Sequence, residues 1–344
     1  MKLWTHPINQ NDIRQCLRIA GGASIGFTVS KLFGWNFGVF FTVLPMLLLG
    51  LVPVMSAHAA RQLVASGIVC ALEVGVLAGA LASHPVLMTI TAFLLFAYKF
   101  HCMAKGPLFL FGATGVISLS IMLHFQSYPS TDLNELVFGN LLAGVLSVLI
   151  AYLMGYALPD VETRVAPPTP AAKQPNQIRH EMLLGATVAT LSFIVFQVLN
   201  LSDSMSAQAT TVLLLFPMNW NGALIYARKR AMGTILGVSF GLAAQLLLWG
   251  WSDILLLVVP LLWIGAMFFS YMHVKESMGS GTGFGGLTTI GILFGQYLAP
   301  NNDLVFSAMY RMSSVLVAIV ATLMVVYVIH RILNQFSTTR FKVN

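Results

Sequence analysis

Apolar runs close to membrane-spanning length follow one another along nearly the whole chain, separated by short polar breaks. About 20 apolar residues cross a bilayer as a helix, and hydropathy places such runs near residues 15–33, 36–56, 62–82, 85–103, 107–126 and 135–158. Six more fall near 180–200, 207–226, 230–250, 252–272, 281–299 and 304–333. Between the two sets stands PDVETRVAPPTPAAKQPNQ, residues 159–177, whose five prolines and mixed charge predict an extended, solvated linker. The pattern therefore predicts an all-α polytopic membrane protein of about twelve transmembrane helices. Its parts are a first six-span repeat over 1–158, a Pro-rich cytoplasmic linker over 159–179 and a second six-span repeat over 180–344.

Ordered correspondences support the repeat. Ile13-Arg14 matches Ile178-Arg179, Thr42-Val43-Leu44 matches Thr211-Val212-Leu213, and Arg61 matches Arg230. Val145-Leu146 and Leu153-Met154 match Val315-Leu316 and Leu323-Met324. An even number of spans per half makes the repeats parallel, related by an axis near the membrane normal, with a pathway expected at their interface.

Composition sharpens the class. The 344 residues are 57% hydrophobic and 8% charged, with a mean hydropathy of +0.82, against about 25% charged in a soluble domain. What the spans leave over is too short for an extramembrane domain, and no G-x-x-x-x-G-K-[ST] loop is present. Pumping would thus draw on an ion gradient or a partner. The net charge of +7 matters through its placement. With both termini and every second connection cytoplasmic, that side collects 16 of the 18 lysines and arginines, leaving Lys31 and Arg311 toward the other face. This bias predicts both termini inside. The N-terminus lacks a convincing cleavage site, so the first span is expected to stay. Cys16, Cys70 and Cys102 are odd in number and form no C-x-x-C pair, which points to neither disulfide nor metal.

The ninth span opens with Arg230-Ala231-Met232-Gly233-Thr234-Ile235-Leu236-Gly237, an R-x-x-G-T-x-x-G string. Gly233 and Gly237 share a helix face and admit a close neighbour, while Thr234 can bond to backbone or across the contact. Arg230, with Arg228 and Lys229, would sit at the cytoplasmic mouth, where a guanidinium fork suits carboxylates; the same residues also serve as topology signals. Arg61 heads a degenerate first-half copy and Arg311 another. The string resembles the signature of the fusaric acid resistance and aromatic acid exporter family, and the six-break-six layout is similar in both halves. The resemblance implies a bacterial inner-membrane exporter of aromatic or other organic acids, often working with a periplasmic adaptor of the membrane-fusion type. The chain departs from longer members by lacking a sizeable cytoplasmic domain between its halves.

Glu73 is the one acidic residue deep inside a span, about twelve residues past Arg61 and so roughly 18 Å along the helix. Such an acid costs about 2.5–3.5 kcal/mol on insertion scales and usually faces a bundle interior or aqueous cavity. It is the proton-coupling candidate, with a protonated structural glutamate as the alternative; its second-half counterpart falls near Leu242. Lys99, His101 and Lys105, and in the second half His273, Lys275 and Glu276, read as cytoplasmic span-end anchors. Lys31 and Arg311 oppose the charge bias and either snorkel or guide an anion outward. The run from Gly279 to Gly286 predicts either close helix packing or an unwound, cavity-lining segment. Asn219 and Trp220, placed in the cytoplasmic half of the eighth span, are substrate-binding candidates beside Arg61, Arg230 and Arg311.

These readings give an inner-membrane efflux transporter for organic anions or aromatic compounds, proton-coupled and non-enzymatic, with no cofactor or metal. A gated anion channel and a non-transporting subunit of an envelope complex are the alternatives. The expected partners are the lipid bilayer, a small organic anion and the adaptor. A homo-oligomer is compatible with the sequence, and nucleic acid is not expected.

Overall fold

A computed structural model describes residues 7–81, 83–126, 128, 132–164, 173–201, 204–276, 281–297 and 304–341. Among the described residues there are twelve α-helices and no strand. They are α1 (Gln10–Leu32), α2 (Gly38–Leu51), α3 (Ala57–Leu81), α4 (Pro85–Lys105), α5 (Phe109–Gln126) and α6 (Leu133–Ala157). Then come α7 (Pro175–Val198), α8 (Met205–Leu214), α9 (Trp220–Leu247), α10 (Leu255–Lys275), α11 (Thr282–Ile292) and α12 (Leu304–Leu333). A π-helical turn, Leu293–Tyr297, continues α11. Eight of these helices are long and apolar enough to cross a membrane.

Local chemistry sets the helix starts. Asn9 and Asp12 form a reciprocal capping box at α1, with Asp12 N donating to Asn9 Oδ1 at 2.8 Å and Asn9 N to Asp12 Oδ2 at 3.0 Å. Pro85 and Pro175 occupy first-turn positions of α4 and α7, where the missing N–H costs nothing. The Asn219 side chain accepts from Gly222 N at 2.8 Å and so starts α9.

Three helices fall short of the spans hydropathy predicted. α2, α8 and α11 have 14, 10 and 11 residues, hence about 21, 15 and 17 Å at 1.5 Å per residue, against a hydrocarbon core of about 30 Å. Every residue of α8 and α11 is buried, as the exposed backbone at short helix ends must be in lipid. Pro217 and the left-handed Met218 (φ 55°) follow the end of α8. Two predicted placements change as a result. Asn219 and Trp220 belong to the start of α9 rather than to the eighth span, and Arg230, expected to open the ninth span, lies ten residues into α9.

The long helices turn apolar side chains outward, among them Leu72, Leu94, Leu149, Leu246, Leu256, Val317 and Met324. That is the arrangement a lipid-facing surface requires. The first residues of the linker are largely exposed, and they are also tied down. Arg18 pairs with Asp160 at 2.7 Å, and Asn11 Oδ1 accepts from Val161 N at 2.7 Å while Asn11 Nδ2 donates to Glu162 O at 2.7 Å. The chain leaving α6 is thereby fastened to α1. Residues 165–172 of the linker lie outside the described residues.

The helices form two compact units. The first comprises residues 1–60, 138–166 and 228–313, and the second residues 61–137, 167–227 and 314–344. In the first, α1 packs on α2 and α10, α10 on α11, and α11 on α2. In the second, α7 packs on α8 and α4, α4 on α5, and α5 on α8. Each unit draws helices from both halves of the sequence.

A buried ion pair as the candidate functional site

One face of α3 repeats small polar residues every four positions, Gln62, Ser66 and Cys70, and each bonds to the backbone of α5 or the turn before it. Gln62 Nε2 donates to Pro107 O at 3.1 Å and its Oε1 accepts from Phe111 N at 3.0 Å. Ser66 Oγ donates to Phe111 O at 3.0 Å, and Cys70 Sγ to Gly115 O at 3.4 Å. Four-residue spacing stacks side chains on one helix face, so this ladder fixes how α3 lies on α5. Glu73 comes next along α3, and its Oε1 meets Lys99 Nζ of α4 at 3.0 Å.

The Lys99 side chain is 0% exposed and that of Glu73 12%. Burial of this charge rests on three contacts. The carboxylate supplies the counter-charge, the Phe111 ring lies 4.9 Å from Nζ in a cation-π arrangement, and Gly115 makes room for the stem. A Cβ at Gly115 would stand 2.9 Å from Lys99 Cδ. Lys99 therefore is not the span-end anchor expected from the sequence. It sits six residues before the end of α4, about 9 Å inside. Glu73 lies eight residues before the end of α3, about 12 Å inside. Removing either partner alone would leave the other charge buried without its counter-ion, the costly case for an intramembrane pair.

The first unit has a similar helix contact with different chemistry. Arg230, 1% exposed, donates to the Thr288 hydroxyl and to Gly285 O at 3.3 Å, which ties α9 to α11. A Cβ on Gly233 would meet the Thr282 carbonyl oxygen and, at 2.8 Å, Gly286 N; one on Gly237 would meet Thr289 Cβ at 2.8 Å. Thr234 is buried beside them. Phe269 of α10 packs on Gly286. Within α11, Thr282–Gly291 is helical and closely packed rather than unwound. Gly279 and Ser280 lie outside the described residues.

The remaining candidates are dispersed. Arg61 is exposed near the start of α3 in the second unit, whereas Arg230 and Arg311 are buried in the first. Asn219 spends its side chain on its own turn, donating to Pro217 O at 2.6 Å and capping α9. Trp220 stands edge-on to Tyr327, with ring centroids 5.2 Å apart. Sequence reasoning missed Lys99 as Glu73's partner, and also Tyr327 and Arg331, which line a cavity with Trp220. The available signal for Lys99 was its position, set back within a run that continues to Lys105. Cys16, Cys70 and Cys102 are buried free thiols.

The apolar helices and internal polar contacts define a multi-pass helical membrane protein. Residues 190–325 match the family described as fusaric acid resistance protein-like, a family of membrane transport proteins. It is the family that the R-x-x-G-T-x-x-G string resembles, and the string lies within the matched residues. Residues 15–154 match a second family, described as protein of unknown function (DUF2955). Neither the curated proteins nor the solved structures yield a match.

Proposed function

We propose that the protein is a bacterial inner-membrane exporter of organic anions or aromatic compounds, coupled to protons through Glu73. The observation that carries the reading is the Glu73–Lys99 pair, 3.0 Å apart and set within two apolar helices. Protonating Glu73 removes the carboxylate charge that faces Lys99 and loosens α3 from α4. A proton then biases two arrangements of a packed element, which is what an ion gradient needs in order to drive a conformational cycle. Chemistry of this kind inside a membrane commonly marks an ion or substrate path.

The proposed architecture is two parallel six-helix repeats, residues 1–158 and 180–344, joined by the 159–179 linker. Matching helix pairs support it: α1 with α10 corresponds to α7 with α4, α10 with α11 to α4 with α5, and α11 with α2 to α5 with α8. Both termini are assigned to the cytoplasm from the distribution of lysine and arginine. A periplasmic adaptor is the proposed partner for passage across an outer membrane. Arg61, Arg230 and Arg311 are proposed to attract anions, Arg230 doing so only if its bonds to Gly285 and Thr288 open.

The test is flux of aromatic carboxylates in proteoliposomes under an imposed pH gradient. Because Glu73→Gln strands Lys99, it is paired with the double variant Glu73→Gln/Lys99→Met, which removes both charges. Uphill transport in the wild type, absent from both variants and abolished by an uncoupler, is the expected result. Uphill transport persisting in the double variant would remove Glu73 from the coupling mechanism. Purely downhill, ohmic flux would make the protein an anion channel.

A further inference from the structure

Among the described residues a cavity opens within each unit, and the state of the arginine lining it separates the two. In the first unit a cavity of about 440 Å³ is lined by Arg18, Tyr152, Tyr156 and Asp160 among others. There Arg18 is spent, with its nitrogens donating to Leu158 O at 2.6 and 2.8 Å, Pro53 O at 3.1 Å and Asp160 Oδ1 at 2.7 Å. In the second unit a cavity of about 430 Å³ is lined by Trp220, Tyr327, His330, Arg331, Asn334 and Gln335. Here Arg331 uses only its Nε–H, donated to the Tyr327 hydroxyl at 3.1 Å. Its terminal nitrogens have no partner among the described residues.

The neighbouring groups fix both the charge and the shape of this cavity. His180 Nδ1 faces Thr339 O at 2.7 Å, and a carbonyl only accepts, so Nδ1 holds the proton. His180 Nε2 then accepts from His330 Nδ1 at 2.9 Å, which leaves His330 Nε2 to accept from Asn334 Nδ2 at 3.0 Å. Asn334 Oδ1 in turn accepts from Phe341 N at 2.8 Å. In this order both imidazoles are neutral and the Asn334 amide is occupied. Arg331 is thus the one charged group lining the cavity among the described residues, and the cavity holds no carboxylate. Its guanidinium lies 5.3 Å from the Tyr327 ring centroid, and Trp220 meets that ring edge-on.

We propose that Arg331, Tyr327 and Trp220 form a binding seat for an organic anion with a flat aromatic body, the anion on the guanidinium fork and the ring against the two aromatic side chains. The seat rests on the transporter reading and gives that transporter a substrate-receiving site at the end of α12, on the side read as cytoplasmic. The volume lies within the range of about 300–1,000 Å³ usual for small-molecule sites. A planar fork held by one of its own N–H groups is prepared for bidentate recognition of a carboxylate. The same chemistry, an anionic head on an apolar body, occurs in an acidic phospholipid.

The experiment measures equilibrium binding of 2-naphthoate to the purified full chain in phosphatidylcholine nanodiscs by calorimetry, beside the neutral alcohol 2-naphthalenemethanol. Wild type is compared with Arg331→Gln, Arg331→Lys and Tyr327→Phe, each checked for an unchanged melting temperature. The expected result is saturable naphthoate binding, weakened about tenfold or more by Arg331→Gln, as the loss of a charge-assisted pair implies. Lysine should restore it only in part, and the alcohol should bind far more weakly than the acid. Equal affinity for acid and alcohol, or an Arg331→Gln variant that binds like wild type, would overturn the seat. Arg331-dependent binding of phosphatidylglycerol without binding of naphthoate would assign it to lipid and also overturn it. Because binding is read without flux, the two readings fail separately. Flux without Arg331-dependent binding sinks the seat alone, and Arg331-dependent binding without flux sinks the transporter alone.

Discussion

What a charge does depends on what faces it, and three residues here show the range. Lys99 is stabilised by Glu73 and by the Phe111 ring. Glu73→Gln alone should destabilise the protein by about 3 kcal/mol or more, because the ammonium keeps its desolvation cost and loses its counter-charge. Adding Lys99→Met should recover much of that loss, since paired removal of a buried ion pair is often neutral. Melting in detergent measures both, and a double variant less stable than Glu73→Gln would show that the lysine does not depend on the glutamate. Asp160 is the third, outside the spans. Its burial pushes the carboxyl upward, but the Arg164 hydrogen bond and the charges of Arg18 and Arg164 outweigh that and leave it below its ordinary value of 3.8. A depressed folded-state value means stability present above pH 3.8 that is lost as the pH falls through the lower value. The melting-temperature gap between wild type and Asp160→Asn should therefore be widest near neutral pH and shrink below about pH 4. A gap independent of pH would remove Asp160's charge from the attachment of this segment to α1.

At the scale of elements, space decides what each glycine does. In α9, Gly233 presses on backbone atoms of α11, which cannot move aside as a flexible side chain can. Gly144 of α6 has nothing within 4 Å of where a Cβ would stand. Gly233→Ala should thus cost about 1–3 kcal/mol through overpacking, while Gly144→Ala should gain up to about 1 kcal/mol from helix propensity. Opposite shifts in melting temperature are expected, and shifts of the same sign would mean that α9 and α11 do not pack as described. Sequence reading reached part of this. The four-residue spacing of Gly233 and Gly237 marked a helix contact, because period alone tells which residues share a face. It did not reveal that α9 begins at Trp220, since the cap is a single asparagine after a proline and hydropathy is insensitive to it. Nor did it shorten α2, α8 and α11. An apolar run records that residues avoid water, not whether they meet lipid or protein, and the short helices are apolar because they are buried.

The whole molecule departs furthest from what a linear reading supplies, because the halves of the sequence are not its compact units. Hydropathy orders spans along the chain, but the pairing of α1 with α10 and of α4 with α7 depends on faces far apart in sequence. Glu73 was legible as an intramembrane acid from its own surroundings in the sequence, whereas its partner required knowing which side of α4 meets α3. The exchange of helices also has a consequence for folding. The first unit takes α10 and α11 from the second half, and the second takes α3, α4 and α5 from the first. A fragment ending at Ala166 would therefore contain α1 and α2 without the helices that cover them, and α3 to α5 without α7 and α8. Buried polar groups such as Ser120, which accepts from the Gln208 amide at 2.5 Å, and Gly50, whose carbonyl faces His273 at 3.0 Å, would lose partners held by the other fragment. Unpaired polar groups inside a bilayer cost several kcal/mol each. Residues 1–166 and 167–344 expressed separately should be degraded or aggregate, while the two expressed together should co-purify as a folded complex. Protease resistance and size-exclusion profiles report the difference. A stable, monodisperse fragment produced alone would mean that each half completes its own core and that the helix exchange is absent in the membrane.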